Sequence, residues 1–169
     1  MTQPHADSVV YRTFLPGDEA AFLRLNEAWI SKYFALEPGD REVLSDPRKH
    51  ILNPGGQICI AEATGETIGC CALIVIAPGE LELAKMTVSE NVRGRGVGRM
   101  LLQFAIDEAR RMGAHRLYLE SNTKAAAAIH LYEQLGFRHL PAPEHESKYA
   151  RANVFMELPL REQVTATVT

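Results

Sequence analysis

Residues 93–98, Arg-Gly-Arg-Gly-Val-Gly, place three glycines and two arginines in six positions and lead straight into a helical pattern. Glycines spaced this way leave backbone N–H groups uncovered, so they can close on an anion. A helix opening near Val97 aims free amides and a partial positive charge at the same place. Arg93, Arg95 and Arg99 add charge, although a solvated basic turn is the plainer alternative. Three phosphate-binding patterns compete. A Walker loop needs G-x-x-x-x-G-K-(S/T), and the chain contains no Gly-Lys pair. A dinucleotide fingerprint needs G-x-G-x-x-(G/A). Its last position falls on Arg99 when counted from Gly94 and on Leu101 when counted from Gly96, so both frames fail. The remaining pattern, (Q/R)-x-x-G-x-(G/A), is met by Arg93, Gly96 and Gly98.

Such a turn works only on a frame that holds it. Residues 8–14 read as a first strand, followed by a helix with Asp18 as N-cap and Ala21, Phe22, Leu25, Ala28 and Trp29 on one face. Pro38 and Pro47 interrupt 37–52, leaving a short helix near 40–45. Strands at 57–63 and 68–77 flank a Thr-Gly-Glu-Thr turn as a hairpin, and Pro78-Gly79-Glu80 turns the chain into a strand at 81–88. The helix after the glycines spans about 97–112. It sends Val97, Leu101, Phe104, Ala105, Ala109 and Met112 to a core, and Arg99, Gln103, Asp107 and Arg110 to solvent. Gly113 ends it. A strand at 115–121, a helix at 123–136 closed by Gly136, a strand beginning at Phe137, a loop and a strand at 152–158 follow, with a frayed tail at 161–169. Early hairpins and then a β–α–β unit over 81–121 argue for an α/β fold in one domain, 1–160. Its sheet is mixed, with helices on both faces.

The bulk numbers fit that reading. The chain has 169 residues, 46% apolar and 23% charged, enough for one core. A formal charge of -3 gives no general drive toward nucleic acid or an anionic membrane. The longest apolar run, residues 70–77, is far too short to span a bilayer, and the first residues hold no apolar signal core; a soluble cytoplasmic protein is expected. Cys59, Cys70 and Cys71 fall in strand-like runs and read as buried reduced thiols. The histidines at 5, 50, 115, 130, 139 and 145 stand in no metal-ligand spacing, so no metal is expected.

Residues 81–100 (Leu-Glu-Leu-Ala-Lys-Met-Thr-Val-Ser-Glu, then the glycine segment), followed by Ala-Ile-His-Leu-Tyr-Glu-Gln-Leu-Gly-Phe at 128–137, closely resemble the GNAT superfamily of acyl-CoA-dependent N-acetyltransferases. The two motifs at this separation are a specific signal. The resemblance implies a central, mostly antiparallel sheet in which one parallel strand pair splays apart, with acetyl-CoA as co-substrate. Its diphosphate would lie on Arg93, Gly94, Arg95, Gly96, Val97, Gly98 and Arg99. The backbone of Met86, Thr87 and Val88 would hold the pantetheine arm, and a β-bulge would aim the Val88 N–H at the thioester oxygen. Many members carry a cofactor-contacting asparagine seven residues before the tyrosine, where this chain has Ala125; Asn122 either takes over that contact or caps the following helix.

Acetyl transfer to an amine requires a neutral nucleophile, an oxyanion donor and help for the leaving thiolate, passing through a tetrahedral intermediate. A lysine-like amine is only about one part in 2,500 neutral at pH 7, a cost of roughly 4–5 kcal/mol, against about 1–1.5 for an α-amino group. The resemblance implies Glu82 as general base, with Glu80 and Glu120 as rivals, and Tyr132 as the hydroxyl facing the CoA sulfur. A phenol is a weaker acid than a thiol by about 1.5 pKa units, so hydrogen-bond donation is the larger part of that role. The acceptor side falls on Trp29, Tyr33 and Phe34, with Trp29 equally suited to the core, and on the loop carrying Glu144, Glu146 and Tyr149. These suit a small cationic amine. A protein N-terminal or lysine acetyltransferase is the rival enzyme, and a non-catalytic acyl-CoA-binding module the rival class. The resemblance also leaves a homodimer open.

Overall fold

The computed structural model describes residues 8–160; the tail expected at 161–169 lies outside them. Seven strands form one sheet in the order β1-β2-β3-β4-β5-β7-β6. They are β1 (Val10–Thr13), β2 (Gln57–Ala63), β3 (Glu66–Ala77), β4 (Glu80–Val88), β5 (Arg116–Ser121), β6 (Arg138–Leu140) and β7 (Val154–Pro159). Every adjacent pair is antiparallel except β4–β5, which is parallel. The helices are α1 (Glu19–Tyr33), α2 (Pro38–Ser45), α3 (Val97–Arg111) and α4 (Ala126–Gln134). Among the described residues no helix is long and apolar enough to cross a membrane.

Period-two alternation along β2 and β3 divides the interior into two cores. Cys59, Ala61, Cys71 and Leu73 face a core built with Leu101, Leu102, Ala105 and Ala109 of α3. Ile58, Ile60, Cys70 and Ala72 face a second, built with Phe22, Leu25 and Ile30 of α1 and Val43 and Leu44 of α2. The neighbours Cys70 and Cys71 therefore bury their thiols on opposite faces of the sheet. All three cysteines are free and buried, and burial pushes the Cys59 and Cys70 thiols up to about 12. The helices lie on both faces, as the pattern predicts.

Several local expectations shift. Asp18 stands at the α1 N-cap position but does not cap; its carboxylate takes both terminal nitrogens of Arg12, at 2.7 and 3.0 Å, and the Leu15 amide. The buried stripe of α1 runs through Phe22, Leu25, Asn26 and Ile30, leaving Ala28 exposed. Asn26 is accommodated because its amide donates to the Phe22 carbonyl one turn back. Met112, the C-cap residue that follows the last residue of α3, is also exposed. The α4 helix starts three residues later than expected. Asn122 accepts the Lys124 amide at 2.8 Å and donates to the Arg151 carbonyl at 2.6 Å, so it shapes the preceding turn and does not cap the helix.

Candidate active site

Two irregularities open the sheet at one place. The β4–β5 pairing runs only from Glu80↔Arg116 to Glu82↔Tyr118, after which the strands part. On the other edge of β4, Cys70 pairs with Thr87 while Ala72 pairs with Ala84, so two steps on β3 face three on β4. That extra residue is a β-bulge at Lys85–Met86, the feature the resemblance implies. Lys85 has φ +53°, a left-handed conformation costing about 1–2 kcal/mol for a residue with a side chain. Its side chain is 5% exposed, and its Nζ lies 2.6 Å from Asp40 Oδ1 and 3.1 Å from the Tyr149 hydroxyl. The strained backbone is thus held by a buried anchor.

A cavity of about 550 Å³ fills the opening. At one end the chain turns through Gly94 (φ +76°) and Gly96 (φ +80°), and Gly96 is the N-cap of α3 without any side-chain cap. The first amides of α3 have no partner inside the helix. A Cβ at Gly98 would meet only Val88 and Leu131, at 3.7 and 3.9 Å, so protein packing alone does not demand glycine there. Of the residues expected to hold the co-substrate, Met86, Thr87, Val88, Arg93, Gly94, Gly96, Val97, Gly98, Arg99, Asn122 and Tyr132 line the cavity, whereas Arg95 does not. Arg93 donates to the Val88 carbonyl and Arg99 to Gln134 Oε1, and both stay exposed.

Tyr132 and Glu82 reach the cavity from opposite cores. Tyr132 is buried, its ring 5.6 Å from that of Phe137, and among the described residues its hydroxyl hydrogen-bonds only to the Met86 sulfur, at 3.9 Å. Burial raises its pKa, so the phenol stays protonated. The core and functional readings of this tyrosine are therefore compatible: the ring packs while the hydroxyl lacks a strong partner. Glu82 has its carboxyl pushed up to about 7, first by burial and then by the Glu120 charge, with Lys85 and Lys148 opposing. Glu120 lines the same cavity two residues beyond the last β4–β5 pair and accepts from Tyr118 at 3.0 Å and Ser147 at 2.5 Å. Glu80 is off the lining and faces Arg116 at 3.5 Å.

At the acceptor end, Trp29, Tyr33, Phe34 and Tyr149 line the cavity. Trp29 lies near Tyr33 and Phe34, at 5.7 and 6.0 Å, while packing on the α1–α2 core, so it lines the cavity and belongs to the core at once. Glu144 and Glu146 are exposed and off the lining, which corrects their expected place beside the aromatics. His130, expected at the surface, is exposed yet reaches the rim.

A network absent from the sequence reading takes the place of those glutamates. Asp40 is fully buried, and Arg151 grips both its oxygens at 2.7 Å and Glu37 at 3.1 Å. Burial alone would raise the Asp40 carboxyl, but the Arg151 and Lys85 contacts outweigh it and hold it far below the carboxylate range. Two signals were available. Lys85 is a lysine inside an apolar strand, and Glu37 and Asp40 stand at capping-box spacing around Pro38, which the structure satisfies.

The Acetyltransferase (GNAT) family model matches residues 22–137. The N-acetyltransferase YjgM of Escherichia coli, itself uncharacterized, is 31% identical over 79% of this chain and 84% of its own. Streptothricin acetyltransferase of Streptomyces lavendulae is 31% identical over 81% and 85%. The YncA protein of Salmonella typhimurium, whose structure holds acetyl-CoA, aligns with a TM-score of 0.71 over 93% of this chain and 96% of that one, at 24% identity.

Proposed function

This chain belongs to the GNAT family of acetyltransferases, and on that premise we propose that it transfers the acetyl group of acetyl-CoA directly to a primary amine of a small molecule. Residues 1–160 form the transferase domain in this reading, since one sheet runs through nearly all of the described chain, and its place is the cytoplasm. The diphosphate of the co-substrate lies on the 93–98 turn and the amides opening α3. The cradle fits such a group: two left-handed glycines, an uncapped helix start and a Gly98 that packing does not require. The arm runs along Met86–Val88 into the parted strands.

Glu82, poised near pH 7, takes a proton from the bound ammonium to free its lone pair, or from the amine as the C–N bond forms, directly or through a water. The Val88 N–H, two residues past the bulge, donates to the oxygen that gains charge in the tetrahedral intermediate. Tyr132 donates to sulfur as the C–S bond breaks. The observation that carries the proposal is the opening between β4 and β5, where a raised carboxyl and a buried phenol bonded only weakly, to a thioether sulfur, meet one cavity. Its volume suits small ligands, and streptothricin acetyltransferase among the relatives agrees with a small-molecule acceptor. Calorimetry with CoA and thiol release from acetyl-CoA over an amine panel test the reading. CoA binding with thiol release is expected; binding without release from any amine or peptide would favour a non-catalytic module.

A further inference from the structure

The acceptor end sorts its charges in a way that acetyl transfer alone does not require. Glu82 and Glu120 lie where the strands part, while Lys124 and Arg151 lie on the same lining, on the turns beyond the strand ends. These two cations come from segments far apart in sequence and converge on one ring. The Lys124 Nζ is 5.2 Å, and the Arg151 guanidinium 5.8 Å, from the centroid of Phe34. Among the described residues, Lys124 has no carboxylate within ion-pair distance. Arg151 is balanced by Asp40 and Glu37, but neither carboxylate is on the cavity lining. Both engage its terminal nitrogens, so its Nε has no partner among the described residues.

Two like charges on one ring repel unless water or an anion lies between them. A polyamine would bring further positive charge to this mouth and be disfavoured. An acceptor with an amine at one end and a carboxylate at the other matches both halves of the sorting. We propose that Lys124 and Arg151 form an anion subsite and that the acceptor is an aminocarboxylate, an amino acid or a close relative. Its amine lies toward Glu82 and its carboxylate against the two cations, with Tyr33 and Tyr149 flanking the body between. The two cations favour an acceptor that carries a carboxylate over one that lacks it, through opposite charge at the cavity mouth.

This inference rests on the acetyl-transfer reading, and matched acceptors separate the two. Thiol release is measured with tyrosine against tyramine, lysine against cadaverine, and each amino acid against its amide. The expected result is a kcat/KM at least tenfold higher for the carboxylate-bearing member of a pair. Lys124→Met, at an exposed position where folding is not at stake, is expected to cut that ratio at least fivefold. Equal turnover within pairs, or preference for the uncharged member, overturns the subsite while transfer stands. A Lys124→Met variant that raises the KM for acetyl-CoA and leaves the ratio alone also overturns it, since Lys124 then serves the co-substrate. Thiol release with no member of any pair overturns the transfer reading and this inference together.

Discussion

The two ends of the cavity are built on different principles. The end assigned to the co-substrate is made of backbone: a turn through Gly94 and Gly96, the first amides of α3 and the bulged stretch of β4, all within residues 84–99. The end assigned to the acceptor is lined by side chains from α1, β4 and the loop before β7, backed by Asp40 of α2. Its ties span great sequence distances, as when Ala150 donates to Glu37 across 113 positions. A backbone site depends on conformation and tolerates most side-chain changes that keep it. A side-chain site with a buried charge network fails when one member is removed, because a partner is left charged and unpaired.

The contrast is most exposed by Asp40→Ala, which strands Lys85 and Arg151 facing each other in a buried site. A loss of about 3–5 kcal/mol in denaturant unfolding is expected, with acceptor turnover falling further than CoA affinity in the folded protein. A cost under about 1 kcal/mol would mean the network is no more than a surface decoration and the contrast fails. At the other end, Gly96→Val forces a β-branched residue into φ +80° and turns the amides of the turn away. Calorimetry is expected to show CoA affinity down by about 10- to 100-fold, or roughly 1.4–2.8 kcal/mol.

Between the ends, Tyr132→Phe removes only a hydroxyl that, among the described residues, hydrogen-bonds only to a sulfur. It is expected to lower kcat at least about tenfold, near 1.4 kcal/mol, with CoA affinity little changed. An unchanged kcat removes Tyr132 from the mechanism. The pH dependence is subtler. With its carboxyl at about 7, Glu82 gains basic form as pH rises, so kcat/KM should climb through that value. Glu120→Gln is expected to move the midpoint down, since the neighbouring charge is one cause of the rise.

The same shift has a stability sign. A raised carboxyl keeps its proton in the native state while the unfolded chain releases it near the ordinary 4.5, so Glu82 weakens folding as pH rises from there through about 7. Glu82→Gln is therefore expected to melt higher at pH 8, by at most about 3 kcal/mol, and to lose the activity limb near 7.

Short-range physics made the strands, helices and turn legible. Alternation in β2 and β3, the glycines before Val97 and the closing Gly113 and Gly136 each act within a few residues. Glu82 and Tyr132 were found through motif resemblance, and both reach the cavity. Expectations shifted where a side chain found a partner outside its own helix: Asp18 took Arg12 instead of capping, and of the two readings of Asn122 the helix cap fell, because its amide holds the Arg151 carbonyl. The Glu144–Glu146 expectation failed for a related reason, because nothing local tells which residues of the thirteen-residue loop between β6 and β7 turn inward.

The sequence by itself determined the element order, the glycine turn ahead of α3 and the family, because each is written in contiguous residues whose spacing fixes backbone conformation. Only the tertiary structure decided where β4 and β5 part, which carboxylate is buried enough to titrate near neutrality, and which cations line the cavity. Those properties depend on desolvation and on charges brought together from distant segments, and neither quantity exists until the chain has folded.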